Sequence, residues 1–379
     1  MKKFLSQVKA GFLWATDSLT VIAVFLLIYA AVNLLVAQCL ETVLCAVLSV
    51  PHTAGISYIA VALNALILLL HESGYNWPKK ALKQAMGYLS AWYFYYLMFQ
   101  VLWSIISVCF AIGPYADAVA VLASIVAGIA IVIFGHRNAK SVQMTTYRVP
   151  LPVDAAHFRI ACLSDLHLGA FVDEDHVATV VDKVNSILPD IVIIAGDLID
   201  DDPSFLKDAI GQYRVAQMIS SIRSKYGVFM TLGNHDLNRD NGVFCSFLYH
   251  CGIQLLCDEY IEFPEIIVVG RSDAVHKCRK PLKEILTDIP KTKPVLVVDH
   301  DPKHIVEAEE YGVDLVLSGH THAGQFFPAT IVTQLAVGKH RLYGHHKFGK
   351  THSIITSGAG YFNMPIRIGT HSEVVEIII

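Results

Sequence analysis

The sequence is short of charge at its N-terminal side. Of the first 140 residues, only Lys2, Lys3, Lys9, Asp17, Glu41, Glu72, Lys79, Lys80, Lys83, Asp117, Arg137 and Lys140 are charged. Such a stretch cannot cover itself with ordinary solvated surface, whereas from Ser141 onward charge returns to the density of a soluble globular protein. Paired cysteines are also lacking. Cys39, Cys45 and Cys109 lie in apolar runs, and Cys245, Cys251 and Cys257 are six apart, so neither a zinc knuckle nor a redox Cys-x-x-Cys is present. Buried, reduced thiols in a reducing compartment are the reading that remains. No excess of basic residues exists either: the net charge is −4, so no nucleic acid partner is expected. Internal repeats and low-complexity segments are absent.

What the first 140 residues do hold is four uncharged stretches, Ser18–Leu40, Thr42–His71, Gln84–Ala116 and Ala118–His136. Each approaches or exceeds the roughly 20 residues a helix needs to cross the hydrocarbon core. The second is interrupted by Pro51-His52, leaving Ile56–Leu70 as its spanning part. The third carries Tyr88, Trp92, Tyr93, Tyr95 and Tyr96 near one end, as an aromatic belt would. Basic residues alternate with the spans: Lys2, Lys3 and Lys9, then Lys79, Lys80 and Lys83, then Arg137, Lys140 and Arg148. The intervening loops hold Glu41 and Asp117. By the positive-inside rule the N-terminus, the middle loop and everything after residue 137 of this multi-pass membrane protein face the cytoplasm. The first apolar core exceeds a signal peptide's length and lacks a small-x-small cleavage site, so a signal anchor is expected. Intramembrane ionisable groups, which mark transporters, are limited to Asp17, His52 and Asp117 near expected span ends, so the bundle is read as anchoring the domain or presenting its substrate.

The remainder, after a linker over 141–157, alternates short β-rich apolar runs with longer amphipathic ones, the pattern of an α/β domain over 158–379. Strands are expected at Phe158–Leu163, Ile191–Ala195, Gly227–Leu232, Ile266–Val269, Pro294–Val298, Val313–Leu317, Ser353–Thr356 and Ile366–Ile379. Helices are expected at Val177–Leu188 and Phe205–Ser224. Five of these strands end in polar groups: Asp165-Leu166-His167, Gly196-Asp197, Gly233-Asn234-His235-Asp236, Asp299-His300-Asp301 and Gly319-His320-Thr321-His322. Ligands in open α/β sheets gather at the carboxyl ends of strands, so these five would share one crevice.

Taken singly, Asp165, His167 or Asn234 would more often be a cap or turn residue. Together, Asp165, His167, Asp197, Asn234, His300, His320 and His322 supply more donors than the three or four that one tetrahedral ion takes. With one carboxylate bridging, they fit two divalent ions about 3.5–4 Å apart. Mixed nitrogen and oxygen donors without thiolate suit Mn, Fe, Zn or Co. A water between two such ions is acid enough to supply hydroxide near neutral pH. By contrast, His304 reads as a helix-surface residue, and His340, His345 and His346 as a solvated loop. The basic stretch Arg271, Lys277, Arg279, Lys280 and Lys283 reads as a solvated face, or else as a contact for anionic headgroups.

The ordered set Asp-x-His, Gly-Asp-x-x-Asp, Gly-Asn-His-Asp, His and Gly-His-x-His resembles the calcineurin-like metallophosphoesterase superfamily. The flanks Ser164–Gly169, Leu317–Gln325 and Ser357–Gly360 are similar to the bacterial membrane-anchored YkuE and YaeI branch, which implies a place in the bacterial inner or plasma membrane. That branch includes transmembrane proteins with a metallophosphoesterase domain and is similar to UDP-2,3-diacylglucosamine hydrolases. The resemblance implies a four-layer α-β-β-α sandwich, here preceded by a transmembrane bundle of about four helices over 1–140. It implies that Asp165, His167, Asp197 and His322 hold one metal, and that Asp197 bridges to a second held by Asn234, His300 and His320, with Mn favoured. It further implies that His235 faces the substrate with Asp236 orienting its ring, and that Asp200 fixes a loop. Ala323 stands where this branch usually has Gly. The implied activity is hydrolysis of a phosphodiester or pyrophosphate in a phosphorylated small-molecule or lipid substrate at the bilayer. A phosphoesterase for soluble substrates, and a non-catalytic metal-binding sensor or scaffold, are the rival readings.

Overall fold

The computed structural model describes residues 80–110, 114–151, 158–200, 205–276, 279–290 and 292–379. The expected spans Ser18–Leu40 and Thr42–His71 lie outside the described residues. The chain divides into two compact units, one of which comprises residues 1–77 and 85–132, and the other 78–84 and 133–379.

In the first unit lie most of two long helices, α1 (Lys80–Phe110) and α2 (Pro114–Lys140). Within them, Lys83–Ser107 and Val119–Lys140 are long and apolar enough to cross a membrane. These correspond to the third and fourth expected spans, so two such helices, rather than four, occur among the described residues. The pair runs antiparallel, because Trp92 Nε1 donates to Ile125 O, Gln100 Nε2 to Ala120 O and Trp103 Nε1 to Asp117 Oδ1. Leu102, Ile105, Leu122 and Val126 meanwhile point outward and are exposed. Helices that turn Leu, Ile and Val outward suit an apolar solvent rather than water.

The second unit holds two mixed six-stranded sheets. In the first, β1 (Val142–Arg148) lies parallel to β12 (Ser372–Ile378), and β12 is antiparallel to β2 (Arg159–Leu163). Then β3 (Ile191–Ala195), β4 (Val228–Thr231) and β5 (Ile253–Leu255) follow β2 in parallel. In the second sheet, β7 (Ile267–Arg271), β8 (Val295–Asp299), β9 (Leu315–Ser318) and β11 (Thr351–Ile355) are parallel. Antiparallel strands β6 (Glu259–Glu262) and β10 (Gly344–Phe348) flank them. Strand β1 lies inside the stretch read as a linker.

Side-chain alternation explains how the layers stack. Ile160, Cys162, Ile191 and Ile193 of the first sheet meet Val268, Leu296, Val298 and Leu317 of the second in one core. The opposite pleat, Ala161, Leu163, Val192 and Ile194, packs against α3 (Glu174–Ile187), α4 (Ala209–Ser220) and α5 (Gly242–Cys251). Behind the second sheet, Val269, Val297 and Val316 pack on α6 (Leu282–Thr287) and α7 (Ile305–Glu310). Covered on both faces, β3 is buried at all five positions and shows no polar alternation. Each such Val or Ile side chain contributes about 1.5–3 kcal/mol through burial. The helices start where short polar side chains cap them: Asp173 accepts from His176 N, Asp208 from Gly211 N and Asn241 from Phe244 N.

Candidate metal centre

The carboxyl ends of β2, β3 and β4 in one sheet and β8 and β9 in the other bring the seven expected donors together. Asp165, His167, Asp197 and His300 form a buried floor, with Asn234 and His322 half-buried and His320 exposed at the rim. Three groups of converging ligand atoms occur among the described residues: Asp165 with His167 and His322, Asp197 with His300 and His320, and His167 with Asp200 and His235. The first two groups take their members from the two donor sets that the family resemblance implies. Asn234 Oδ1 joins the second at 2.8 Å from His320 Nδ1.

Backbone strain accompanies this convergence. Asp165, His167, Asp197, His320 and His322 all have φ between 50° and 70°. Side-chain-bearing residues rarely occupy that left-handed region, and such residues persist where the surroundings over-determine them. Ala323 joins them at φ 53°, so the branch's usual Gly would sit there with less strain. Neighbouring glycines make the approach possible: a Cβ on Gly319 would strike Ser164 and Asp165, and one on Gly233 would strike Asp197.

The donor chemistry suits a cation. His167 Nε2 and His322 Nε2 face each other at 3.1 Å, with Asp165 Oδ1 at 3.5 Å from His322 and 4.0 Å from His167. Donors bound at about 2.0–2.2 Å to one ion lie roughly 3–4 Å apart, which matches. Burial, then His167 and Arg367, hold the His322 imidazole well below its ordinary pKa, so its ring stays neutral and can donate a lone pair. In the other half, His300 Nδ1 sits 2.7 Å from Ala195 O. A carbonyl only accepts, so Nδ1 carries the proton and Nε2 is turned toward Asp197 Oδ2 at 3.0 Å, off the line of a hydrogen bond. Burial opposes charge on both partners, yet their mutual attraction holds Asp197 below and His300 above the ordinary range, so His300 Nε2 must give up a proton to take a metal. Burial pushes Asp165 up.

His235 stands beside the pair of groups. Its Nε2 lies 4.0 Å from Asp197 Oδ2, its ring meets His167 edge-on, and its backbone N–H donates to Asp197 Oδ1. Asp236 does something other than orient that ring. Its carboxylate accepts from the backbone N–H groups of Asp197, Leu198, Ile199 and Gly233, tying the β3 and β4 loops together. Burial, then Asp197, raise it to about 7. Asp200 pairs with Lys83 of α1 at 3.3 Å and lies within ligand reach of His167 and His235.

Three residues escaped sequence reasoning. Arg367 is completely buried and donates to the carbonyls of His322, Ser357 and Gly360, with its NH2 3.3 Å from His322 Nδ1. Burial lowers its pKa to about 10. Phe362 packs 4.7 Å from the His235 ring and 5.1 Å from His167. Lys83 counted only as a topological charge. The basic stretch divides: Arg271 and Arg279 turn inward to Asp299, whereas Lys280 and Lys283 are exposed as a solvated face would be, and Lys277 lies outside the described residues.

Comparison with known proteins agrees with this geometry. The family profile for calcineurin-like phosphoesterases matches residues 158–324. An uncharacterised metallophosphoesterase of Campylobacter jejuni is 31% identical over 67% of this chain and 68% of its own length. A transmembrane protein with metallophosphoesterase domain from Danio rerio is 30% identical over 68% of this chain and 62% of its own. The uncharacterised metallophosphoesterase YkuE of Bacillus subtilis is 24% identical over 57% of this chain and 77% of its own. The chain spans between 59% and 68% of the length of the first relatives it matches. With its ordered motifs, its two mixed sheets and these relatives, the chain belongs to the calcineurin-like metallophosphoesterase family.

Proposed function

We propose that this chain is a membrane-anchored phosphoesterase that works with two divalent metal ions. The observation that carries this reading is the position of Asp197. Its Oδ2 lies 3.9 Å from His167 Nε2 on one side and 3.0 Å from His300 Nε2 on the other, so one carboxylate borders both donor groups. Asp165, His167, Asp197 and His322 would hold one ion, and Asp197, Asn234, His300 and His320 the other. Mn is the favoured metal, with Fe, Zn and Co suiting the same donors. When bound, such ions draw in phosphate oxygens and acidify a coordinated water.

The chain's own residues do the rest. His235, partly accessible at the rim, delivers a proton to the departing oxygen. Asp236 fixes the loops that carry Asp197 and His235, and Phe362 excludes water from the flank of both rings. Arg367 holds the His322 loop through its carbonyls. Residues 158–379 form the phosphoesterase domain, joined through 141–157 to the membrane part, 1–140. Basic residues after the last span put the domain on the cytoplasmic side of a multi-pass anchor. That placement favours a phosphodiester or pyrophosphate in a membrane-associated substrate resembling UDP-2,3-diacylglucosamine. The test uses the full chain in detergent with Mn, assayed on bis- and mono-nitrophenyl phosphate and on lipid-linked pyrophosphates. Preferred turnover of lipid-linked substrate, lost in His235→Ala with metal retained, is the expected result. Equal hydrolysis by His235→Ala would remove that residue's role, and turnover of soluble diesters alone would remove the lipid preference.

A further inference from the structure

One apolar surface of the second unit belongs to neither core. Helix α8 (Ala329–Val337) has no buried residue. Ile331, Val332 and Leu335, at i, i+1 and i+4, share one face and are 51%, 66% and 82% exposed, and Phe327 just before them is 46% exposed. From Gln325 to Gly338 the chain carries no charge, and then Lys339, His340 and Arg341 follow in a single 3-10 turn. Water is a poor solvent for a face of this kind, and monomeric soluble proteins rarely leave one uncovered.

Two further observations say what covers it. The uncharged face ends in a basic turn, the charge arrangement that anionic lipid headgroups complement. In addition, the lead-in to α8 and the end of α2 are both hydrogen-bonded to the same segment, residues 366–370. Phe327 N donates to Ile368 O and Ile368 N to Gln325 O; next to them, Arg367 N donates to Gly135 O, and Asn138 Nδ2 donates to Arg367 O and Thr370 O. Gly135 itself leaves no room between helix and segment, since a Cβ there would meet Ile366 and Ile368. Thus the point where the apolar α2 gives way to Arg137 and Lys140 is one segment away from Phe327.

We propose that α8 is an in-plane membrane helix: Phe327, Ile331, Val332 and Leu335 enter the acyl boundary of an anionic leaflet, while Lys339 and Arg341 meet headgroup phosphates. This rests on the reading of α1 and α2 as membrane spans. Because α8 begins seven residues after His322, the helix holds the donor cluster against the headgroup layer, where a lipid phosphate lies.

The full chain, in nanodiscs of phosphatidylglycerol bearing a diazirine on its acyl chains, is illuminated and the adducts are mapped by mass spectrometry. Adducts are expected on residues 327–337 as well as on α1 and α2. Lys339→Ala should cut the 327–337 adducts about fivefold, as loss of one basic contact of about 1 kcal/mol implies, and replacing phosphatidylglycerol by phosphatidylcholine, which removes both basic contacts, should cut them about 25-fold. Leu335→Asp should remove them. Adducts on α1 and α2 without any on 327–337, as when a second copy or another segment covers α8, would overturn the proposal while leaving the anchor intact. Unchanged adducts in phosphatidylcholine would overturn the role of the basic turn. A chain that yields no adducts anywhere would fail the anchor reading instead.

Discussion

Two histidine-rich regions share the second sheet and could hardly differ more. At the end of β9, His320 and His322 reach into groups completed by Asp165, Asp197, His167 and His300. On the β10–β11 hairpin, His345 Nε2 meets His352 Nδ1 at 2.9 Å, and His346 Nδ1 meets His340 Nδ1 of the preceding 3-10 turn at 3.4 Å. No carboxylate gathers the hairpin histidines into a ligand group among the described residues. Burial holds His345 and His352 below their ordinary pKa, and a neutral pair sharing one proton accounts for their contact. Imidazole density therefore does not make a metal centre. Buried carboxylates, and strained turns that aim neutral nitrogens toward them, do.

The sharpest break in this contrast is Asp197→Asn. Removing the one charge that borders both donor groups is expected to lower kcat by roughly a thousandfold, about 4 kcal/mol. His345→Ala and His352→Ala should leave turnover within about twofold and cost under about 1 kcal/mol in urea unfolding. Next comes His235→Ala, expected to lower kcat roughly a hundredfold or more while bound metal, measured by mass spectrometry of the ions, stays at the wild-type level. If turnover falls together with metal content, His235 is a ligand instead.

Arg367→Ala tests whether the site's support lies outside its donors. It leaves the carbonyls of Ser357 and Gly360 without their buried donor, so a loss of about 1–3 kcal/mol is expected. Metal affinity should also weaken, by roughly 10- to 100-fold, because the His322 loop loses its brace. Titration of apparent Kd separates this from a purely global effect, for which affinity at saturating folded protein would not change.

Glu373 lies away from the centre and is expected to touch stability in acid alone, with turnover at neutral pH unchanged. Burial would raise its carboxyl, but hydrogen bonds from His371, Thr145, Ser357 N and Thr356 win and lower it from 4.5 to about 2. A depressed carboxylate stabilises the fold above its unfolded pKa, and that stability drains as pH falls from 4.5 toward 2. The contribution is about 3 kcal/mol at most. Glu373→Gln should flatten the dependence of urea midpoint on pH in that window. A wild-type slope retained in the variant would assign the effect elsewhere.

Much of the site was legible because its donors end apolar runs: Leu163 before Ser164-Asp165, Ala195 before Gly196-Asp197, and Leu317 before Ser318-Gly319. Central strands such as Ile191–Ala195 declare themselves by uniform apolarity. Less visible were β5, only three residues long, and α6 and α7, six residues each and too short for a helical period. The C-terminal strand begins at Ser372 rather than Ile366, because residues 366–370 instead bond to α2 and to the α8 lead-in. Arg367 was invisible for the same reason: a lone Arg in an alternating run looks like a solvated strand position. The positive φ values of Asp165 and His322 leave no trace in residue type, since glycine is the residue that normally marks them.

The central claim is that Asp197 stands between two metal positions, and counting ions tests it most directly. The full chain, loaded with Mn and desalted, is assayed for metal per chain alongside His322→Ala, His300→Ala and Asp197→Asn. The account expects about two ions in the wild type, about one in each histidine variant and fewer than one in Asp197→Asn. One ion in the wild type, lost equally from both histidine variants, would contradict it.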